Sequence, residues 1–223
     1  MTWLFGIKRF PTAVGRIEES VLASFSISRC FHPEEKRKGI GGNEPAYLAG
    51  GRVGVQAMRE LGFKNQIAAR IAMFLMEIGI PVEASAFQEN TVLPGIRVDR
   101  GILLVDETRL LHPGDMLHEA GHIALTPAAQ RRELCGDVGQ GPAEEMAAIA
   151  WSYAAVIHLG LEPAVVFHAD GYRGGSESMM ENFKESRYIG VPMLQWLGMA
   201  FDEKKARDLG AAAYPAMVKW LRD

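Results

Sequence analysis

Apolar positions recur at helical spacing through much of the chain. Ile67, Ile71, Phe74, Leu75 and Ile78 follow one another at i, i+4, i+7, i+8 and i+11, with Lys64, Asn65, Arg70 and Glu77 largely elsewhere, which predicts a core-facing helix over residues 64–77. Gly79-Ile80-Pro81 ends it, and residues 82–87 read as a short strand. Ile96, Val98, Ile102 and Leu104 then alternate before Leu103 and Val105 fill the other face, which predicts a second extended region over residues 96–105. Met116, Leu117, Ala120, Ile123, Ala124 and Leu125 predict a helix buried on most sides. It starts near Pro113 or Asp115 and stops at Thr126-Pro127, because proline disfavours the helical region for the residue before it.

Downstream, Thr126 as N-cap and Pro127 as first residue predict a short helix closed by Gly136, followed by a turn over residues 137–141. Pro142 opens a long helix reaching Leu159-Gly160. A helical piece begins at Leu161-Glu162-Pro163 and ends at His168, and two further helices are expected over residues 179–199 and 204–221. Upstream, residues 12–30 include a plausible helix, and residues 31–54 shift to mixed charge and glycine. The expected organisation is an N-terminal helix and linker or arm over residues 1–52, then a single domain over residues 53–223. The class is α+β: a mostly helical domain with a small sheet next to the helix over 115–125.

Composition narrows the function. With 223 residues, 48% hydrophobic and 23% charged, the chain has the make-up of a soluble globular protein with material for one core. A net charge of -3 gives no electrostatic argument for nucleic acid, whose binders concentrate basic charge. Glu34-Glu35 precede Lys36-Arg37-Lys38, so that run reads as a charge-balanced loop. The two cysteines, Cys30 and Cys135, have no C-x-x-C partner and indicate neither a disulfide framework nor a cysteine zinc site. The N-terminal apolar run is short and precedes its positive charges, the wrong order for secretion. No stretch is long and apolar enough for a bilayer, so a cytoplasmic setting without membrane association is expected.

Within the helix over 115–125 stands His118-Glu119-Ala120-Gly121-His122, an H-E-x-x-H pattern. Residues four apart share a helix face, so His118 and His122 can bind one metal ion through their imidazoles. Glu119 lies one residue round the helix, within reach of a water on that metal. The alternative is an amphipathic helix with two satisfied histidines.

Catalytic zinc usually has three protein ligands and an open position. The extended H-E-x-x-H-x-x-G-x-x-H pattern is excluded, because Leu125 and Ala128 stand at its glycine and third histidine. The helix opened by Pro142 carries Glu144 and Glu145 in its first turn. Glu145 is favoured as third ligand, since it lies beside Ala148 and Ile149 on the inward side, whereas Glu144 shares its row with Trp151. Asp137 and Glu133 are poorer candidates. Ala143, Ala147, Ala148 and Ala150, with Gly121 opposite, would let the two helices approach closely. His158, in the last turn of the same helix, reads as structural.

A second polar concentration, residues 168–176, mixes His168, Tyr172 and Arg173 with glycines, as an active-site loop does. Each of the three could donate a hydrogen bond to the oxyanion of a tetrahedral intermediate. The alternative is a surface loop. Ile102 to Val105 is a candidate sheet edge onto which an extended peptide could add, the alternative being an internal strand.

The pentapeptide His118 to His122, followed by Glu144-Glu145-Met146-Ala147-Ala148 opening a helix, resembles the gluzincin zinc metallopeptidases, particularly the small intracellular ImmA/IrrE-type proteins. The resemblance covers roughly residues 64–160 and holds at clan level. It implies a zincin-like domain in which helix, short sheet, motif helix and glutamate helix follow in order. It further implies Zn2+ on His118, His122 and Glu145, Glu119 as general base, and a peptide or protein substrate. The chain departs from the pattern at Thr126, where many such proteins have histidine, and at Ala147-Ala148 in place of Ala-Asn. The carboxylate usual behind a zinc histidine is replaced by Ala148 and Ile149, which leaves Asp106 and Asp115 as candidates for that place. A zinc-containing regulatory or protein-binding module, and a non-peptidase zinc hydrolase, are the competing readings.

Overall fold

The computed structural model describes residues 61–136 and 141–223. The expected N-terminal helix and linker over residues 1–52, Cys30, and most of the turn after Gly136 lie outside the described residues. The described part is α+β, with six helices and a four-stranded mixed sheet.

Helix α1, Gln66–Glu77, starts where Asn65 accepts hydrogen bonds from the Ile67 and Ala68 amides through its side chain. Of its predicted apolar face, Ile71, Phe74 and Leu75 are fully buried and Ile67 and Ile78 are half-buried. Strand β1, Val82–Ala84, is shorter than residues 82–87 suggest.

The extended region over 96–105 is two strands. β2, Ile96–Asp99, and β3, Ile102–Val105, form an antiparallel hairpin. Its two loop residues, Arg100 and Gly101, both have positive φ, 50° and 75°. Two-residue hairpin loops favour that conformation because it matches the strand twist, and it is uncommon for arginine. With β4, Cys135–Gly136, the strand order is β1-β3-β2-β4, β1 running parallel to β3 and the other pairs antiparallel. β3 is therefore internal. The expectation that Ile102 to Val105 offers a free edge is corrected, because β1 and β2 satisfy its two sides.

Helix α2, Asp115–Leu125, ends as expected, with Thr126 extended (φ -74°, ψ 135°) before Pro127. Thr126 does not cap a following helix. Its hydroxyl donates back to the His122 carbonyl at 2.9 Å, and only a single 3-10 turn, Arg131–Glu133, precedes β4. Helix α3, Pro142–His158, matches its expected span and packs on α2. A Cβ on Gly121 would lie 3.1 Å from the Ala148 carbonyl oxygen, so the two backbones are in near contact there. Ser152, fully buried, donates to Leu117 O and Ala148 O across and along this seam. Three residues after Ala148, α3 buries Trp151 against Phe74 and Trp220, and the Trp151 indole N–H donates to the Trp220 carbonyl at 2.9 Å.

The C-terminal third is more broken than its periodicity predicts. Residues 161–168 hold only one 3-10 turn, Pro163–Val165. The helix expected over 179–199 is split into α4, Ser176–Lys184, and α5, Val191–Trp196. Ser186 and Gly190 have φ of 58° and 84° between them, and a Cβ on Gly190 would stand 1.9 Å from the Met146 carbonyl oxygen. The helix expected over 204–221 stops after α6, Glu203–Leu209, at Gly210 (φ 63°). The remainder, including Pro215, returns as coil and reaches the core through Trp220.

Gly114, just before α2, is pressed by the Val165 carbonyl: a Cβ there would lie 1.9 Å from that oxygen. Its φ of -65° suits any residue, so the demand is for space alone. Gly114→Ala should lower the unfolding free energy by about 1–3 kcal/mol, the range for forcing atoms into a filled site. Thermal and urea unfolding beside wild type measure it, and an unchanged midpoint would show that the 163–168 segment is not packed on α2 as described.

Candidate metal centre

The periodicity of α2 puts His118 and His122 on one face, their rings edge to face at 5.0 Å and 88°. The first turn of α3 supplies Glu145, whose amide donates to the Gly141 carbonyl. Ala148 meets Gly121 and Ser152 meets Leu117, so the helices run antiparallel and the α3 N-terminus lies over the C-terminal half of α2. Glu145 then reaches both imidazoles. Its Oε1 is 3.2 Å from His118 Nε2, and its Oε2 is 3.2 Å from His122 Nε2.

This donor set fits a tetrahedral ion. Zinc holds imidazole nitrogen and carboxylate oxygen at about 2.0–2.2 Å, so two ligand atoms at the tetrahedral angle stand about 3.3 Å apart. His118, His122 and Glu145 form a metal-competent group, and Glu144 is not in it. Hydrogen bonds from His118 and then His122 hold the Glu145 carboxyl well below the usual carboxylate range, against burial, which acts the other way. Glu145 is therefore ionised, as a ligand must be. Glu119 is buried on the same helix between the two histidines.

Tyr172 forms a second wall. Its ring meets that of His118 edge to face at 5.7 Å and 88°. Burial, then the charges of Asp115 and Glu145, push its hydroxyl well above the ordinary phenol value, so it keeps its proton throughout the physiological range. Its backbone has φ of 51°, a conformation that costs a residue with a side chain about 1–3 kcal/mol and persists where the surroundings impose it. Here Ser176 imposes it by donating its hydroxyl hydrogen to His168 O at 2.6 Å and also facing Gly171 O at 3.2 Å.

His168 does not join the histidine–glutamate group. Its Nε2 faces Asp115 Oδ1 at 3.0 Å, its Nδ1 is buried without a partner, and its ring stacks on His112. The side chain of Arg173 lies outside the described residues.

The expected support behind the two motif histidines is placed differently. Asp115 pairs with His168 rather than with either of them. Asp106 accepts from the Thr108 hydroxyl, the Thr108 amide and the Phe87 amide, and so organises the loops after β3 and β1. His118 Nδ1 is buried and has no hydrogen-bond partner. His158 packs against Phe74 and Trp220, and burial lowers its pKa below the ordinary histidine value, in keeping with a structural role. Sequence reasoning missed His112 and Asp170. The one available signal was a third histidine, His112, six residues before His118 at the start of the motif helix.

No family model, curated protein or solved structure matches the chain. Among the described residues, no helix is long and apolar enough to cross a membrane.

Elemental analysis of the purified full chain should find about one zinc per molecule, lost in His118→Ala, His122→Ala and Glu145→Ala but retained in Glu144→Ala. Zinc lost in Glu144→Ala and kept in Glu145→Ala would reverse the ligand assignment. No metal in wild type after refilling with excess zinc would remove the centre altogether.

Proposed function

We propose that the chain is a zinc-dependent metallopeptidase of the gluzincin kind, resembling the ImmA/IrrE-type proteins, and that it hydrolyses peptide bonds in a cytoplasmic peptide or protein substrate. The observation that carries this reading is that Glu145 stands 3.2 Å from both His118 Nε2 and His122 Nε2, on imidazoles of the helix that also carries Glu119. Bound there, zinc would supply a Lewis acid that polarises a carbonyl and acidifies a water.

The chain's own residues divide the rest of the work. Glu119 takes the proton of the attacking water and delivers it to the departing amine, so one carboxylate serves as base and then acid. Tyr172, protonated and packed on His118, donates its hydroxyl hydrogen to the carbonyl oxygen as charge develops there. His168 acts behind this wall, through Asp115, as part of the loop that carries Tyr172. The surrounding burial lowers the local dielectric and strengthens each of these interactions.

One observation favours a second reading. Metal-bound histidines normally donate their other ring N–H to an acceptor that orients them, and His118 Nδ1 has none. A zinc-containing module that binds a protein partner and turns over slowly would tolerate that.

The two separate in one experiment. Glu119→Gln should keep its zinc and lose peptide hydrolysis by about 10²–10⁴-fold, the usual worth of a general base. Tyr172→Phe should keep its zinc and lower kcat by about 10²–10³-fold, the worth of one oxyanion donor. Hydrolysis surviving intact in Glu119→Gln would sink the peptidase reading, and wild type that binds zinc yet cleaves no peptide would favour the binding module.

A further inference from the structure

Outside the metal triad, the described residues hold one other group of metal-type side chains: His112, His168 and Asp170. The imidazoles of His112 and His168 stack, with centroids 3.5 Å apart and planes 8° from parallel. Carboxylates flank them, with Asp115 Oδ1 3.0 Å from His168 Nε2 and Asp170 Oδ2 3.3 Å from His112 Nε2. An imidazole binds a metal in its own ring plane, at about 2.0–2.1 Å from the nitrogen. One ion cannot lie in the planes of both rings of such a stack. The arrangement is therefore an aromatic stack closed by carboxylates, and not a second metal centre.

The stack joins two segments that the proposed chemistry needs together. His112 immediately precedes the turn into α2, the helix of the zinc histidines. His168 opens the loop that carries Tyr172, and its carbonyl accepts the Ser176 hydroxyl that braces that loop. The hydrogen bond to Asp115 fixes one atom of the His168 ring, and Gly171 lies against the ring's Cε1–Nε2 edge. The parallel ring of His112 covers its face.

We propose that His112 is a positioning residue: its ring, steadied by Asp170, clamps His168 on Asp115 and so holds the strained loop that sets Tyr172 beside His118. This rests on the peptidase reading for its kinetic consequence, though not for its structural one. The Asp170 carboxylate is 81% exposed, so water screens its pairing with His112 and the ring face is the larger contribution. An aromatic side chain at 112 should therefore serve nearly as well as histidine.

The test compares full-length wild type with His112→Ala and His112→Phe by zinc content, steady-state kinetics and nitrogen-15 and proton spectra of the histidine rings, His168→Gln identifying the His168 signals. His112→Ala should keep one zinc per chain and lower kcat by about ten- to a hundredfold, the scale for misplacing a catalytic group by an ångström. Its KM should stay within about twofold, since no ground-state contact is removed. Its His168 ring signals should shift and broaden, while His112→Phe keeps them sharp and recovers most of kcat. Unchanged His168 signals in His112→Ala overturn the clamp whatever the activity, and His112→Phe as slow as His112→Ala overturns it too. A second zinc per chain, lost in His112→Ala, overturns it in favour of a metal site. Failure of the peptidase reading shows separately, as hydrolysis insensitive to Glu119→Gln, and leaves the ring spectra to decide the clamp.

Discussion

The near contact of α2 with α3 at Gly121 and Ala148 is the constraint on which the centre depends. A glutamate side chain can span to two imidazole nitrogens only if its helix lies close to theirs. A Cβ at 121 would stand 3.1–3.3 Å from Ala148 backbone and side chain, so any larger residue there would move α3 away. Ala148, Ser152 and Ala155, fully buried along one row of α3, keep the rest of the approach equally small. The closeness creates a polar question as well. Ser152 sits fully buried in the seam, and it answers by donating to the Leu117 and Ala148 carbonyls, leaving no hydroxyl stranded.

A neighbouring row of α3 carries the bulk that the seam excludes. Trp151 is fully buried against Phe74 and Trp220, and its indole N–H is matched by a carbonyl from the C-terminal coil. Small residues toward the metal helix and a large aromatic toward the core orient α3 about its own axis. That orientation aims Glu145, three residues before Ala148, at the histidines, and turns Glu144 elsewhere. The candidate centre is thus set by packing along two neighbouring rows of one helix.

Much of this was legible in the sequence because it rests on local periodicity. The spans of α1, α2 and α3 follow from apolar spacing and from Gly79-Ile80-Pro81, Thr126-Pro127 and Pro142 at their ends. The choice of Glu145 over Glu144 follows from the row it shares with Ala148 and Ile149. What was not legible depends on chain segments far apart or on single backbone angles. Periodicity could not tell that β3 is flanked by both β1 and β2, since pairing is non-local. Arg100 gives no sign of its left-handed turn, so a hairpin read as one strand. Gly190 and Gly210 were outweighed by the apolar spacing around them, yet positive φ at Ser186 and Gly190 breaks the chain between α4 and α5, and Gly210 turns it after α6. Asp115 and Asp106 had the right chemistry to support a zinc histidine, and other partners claim them.

That absence shifts the work of orienting His118. A buried ring nitrogen without a partner forgoes about 1–3 kcal/mol, and it leaves the imidazole without the hydrogen bond that ordinarily fixes its plane. What holds the ring instead is the Glu145 carboxylate at its Nε2 and edge-to-face contact with His122 and with Tyr172. Tyr172 is itself held at positive φ by a loop pinned at His168 and Ser176, and that loop is seated where Val165 presses on Gly114. The stiffness that a carboxylate would give His118 directly comes from a longer mechanical chain, through Tyr172 and its loop back to the start of α2. Such a chain ties the orientation of a metal-type histidine to the order of the residue proposed to stabilise the transition state. Disturbing the loop would therefore act on both at once, whereas a carboxylate behind His118 would have kept them independent.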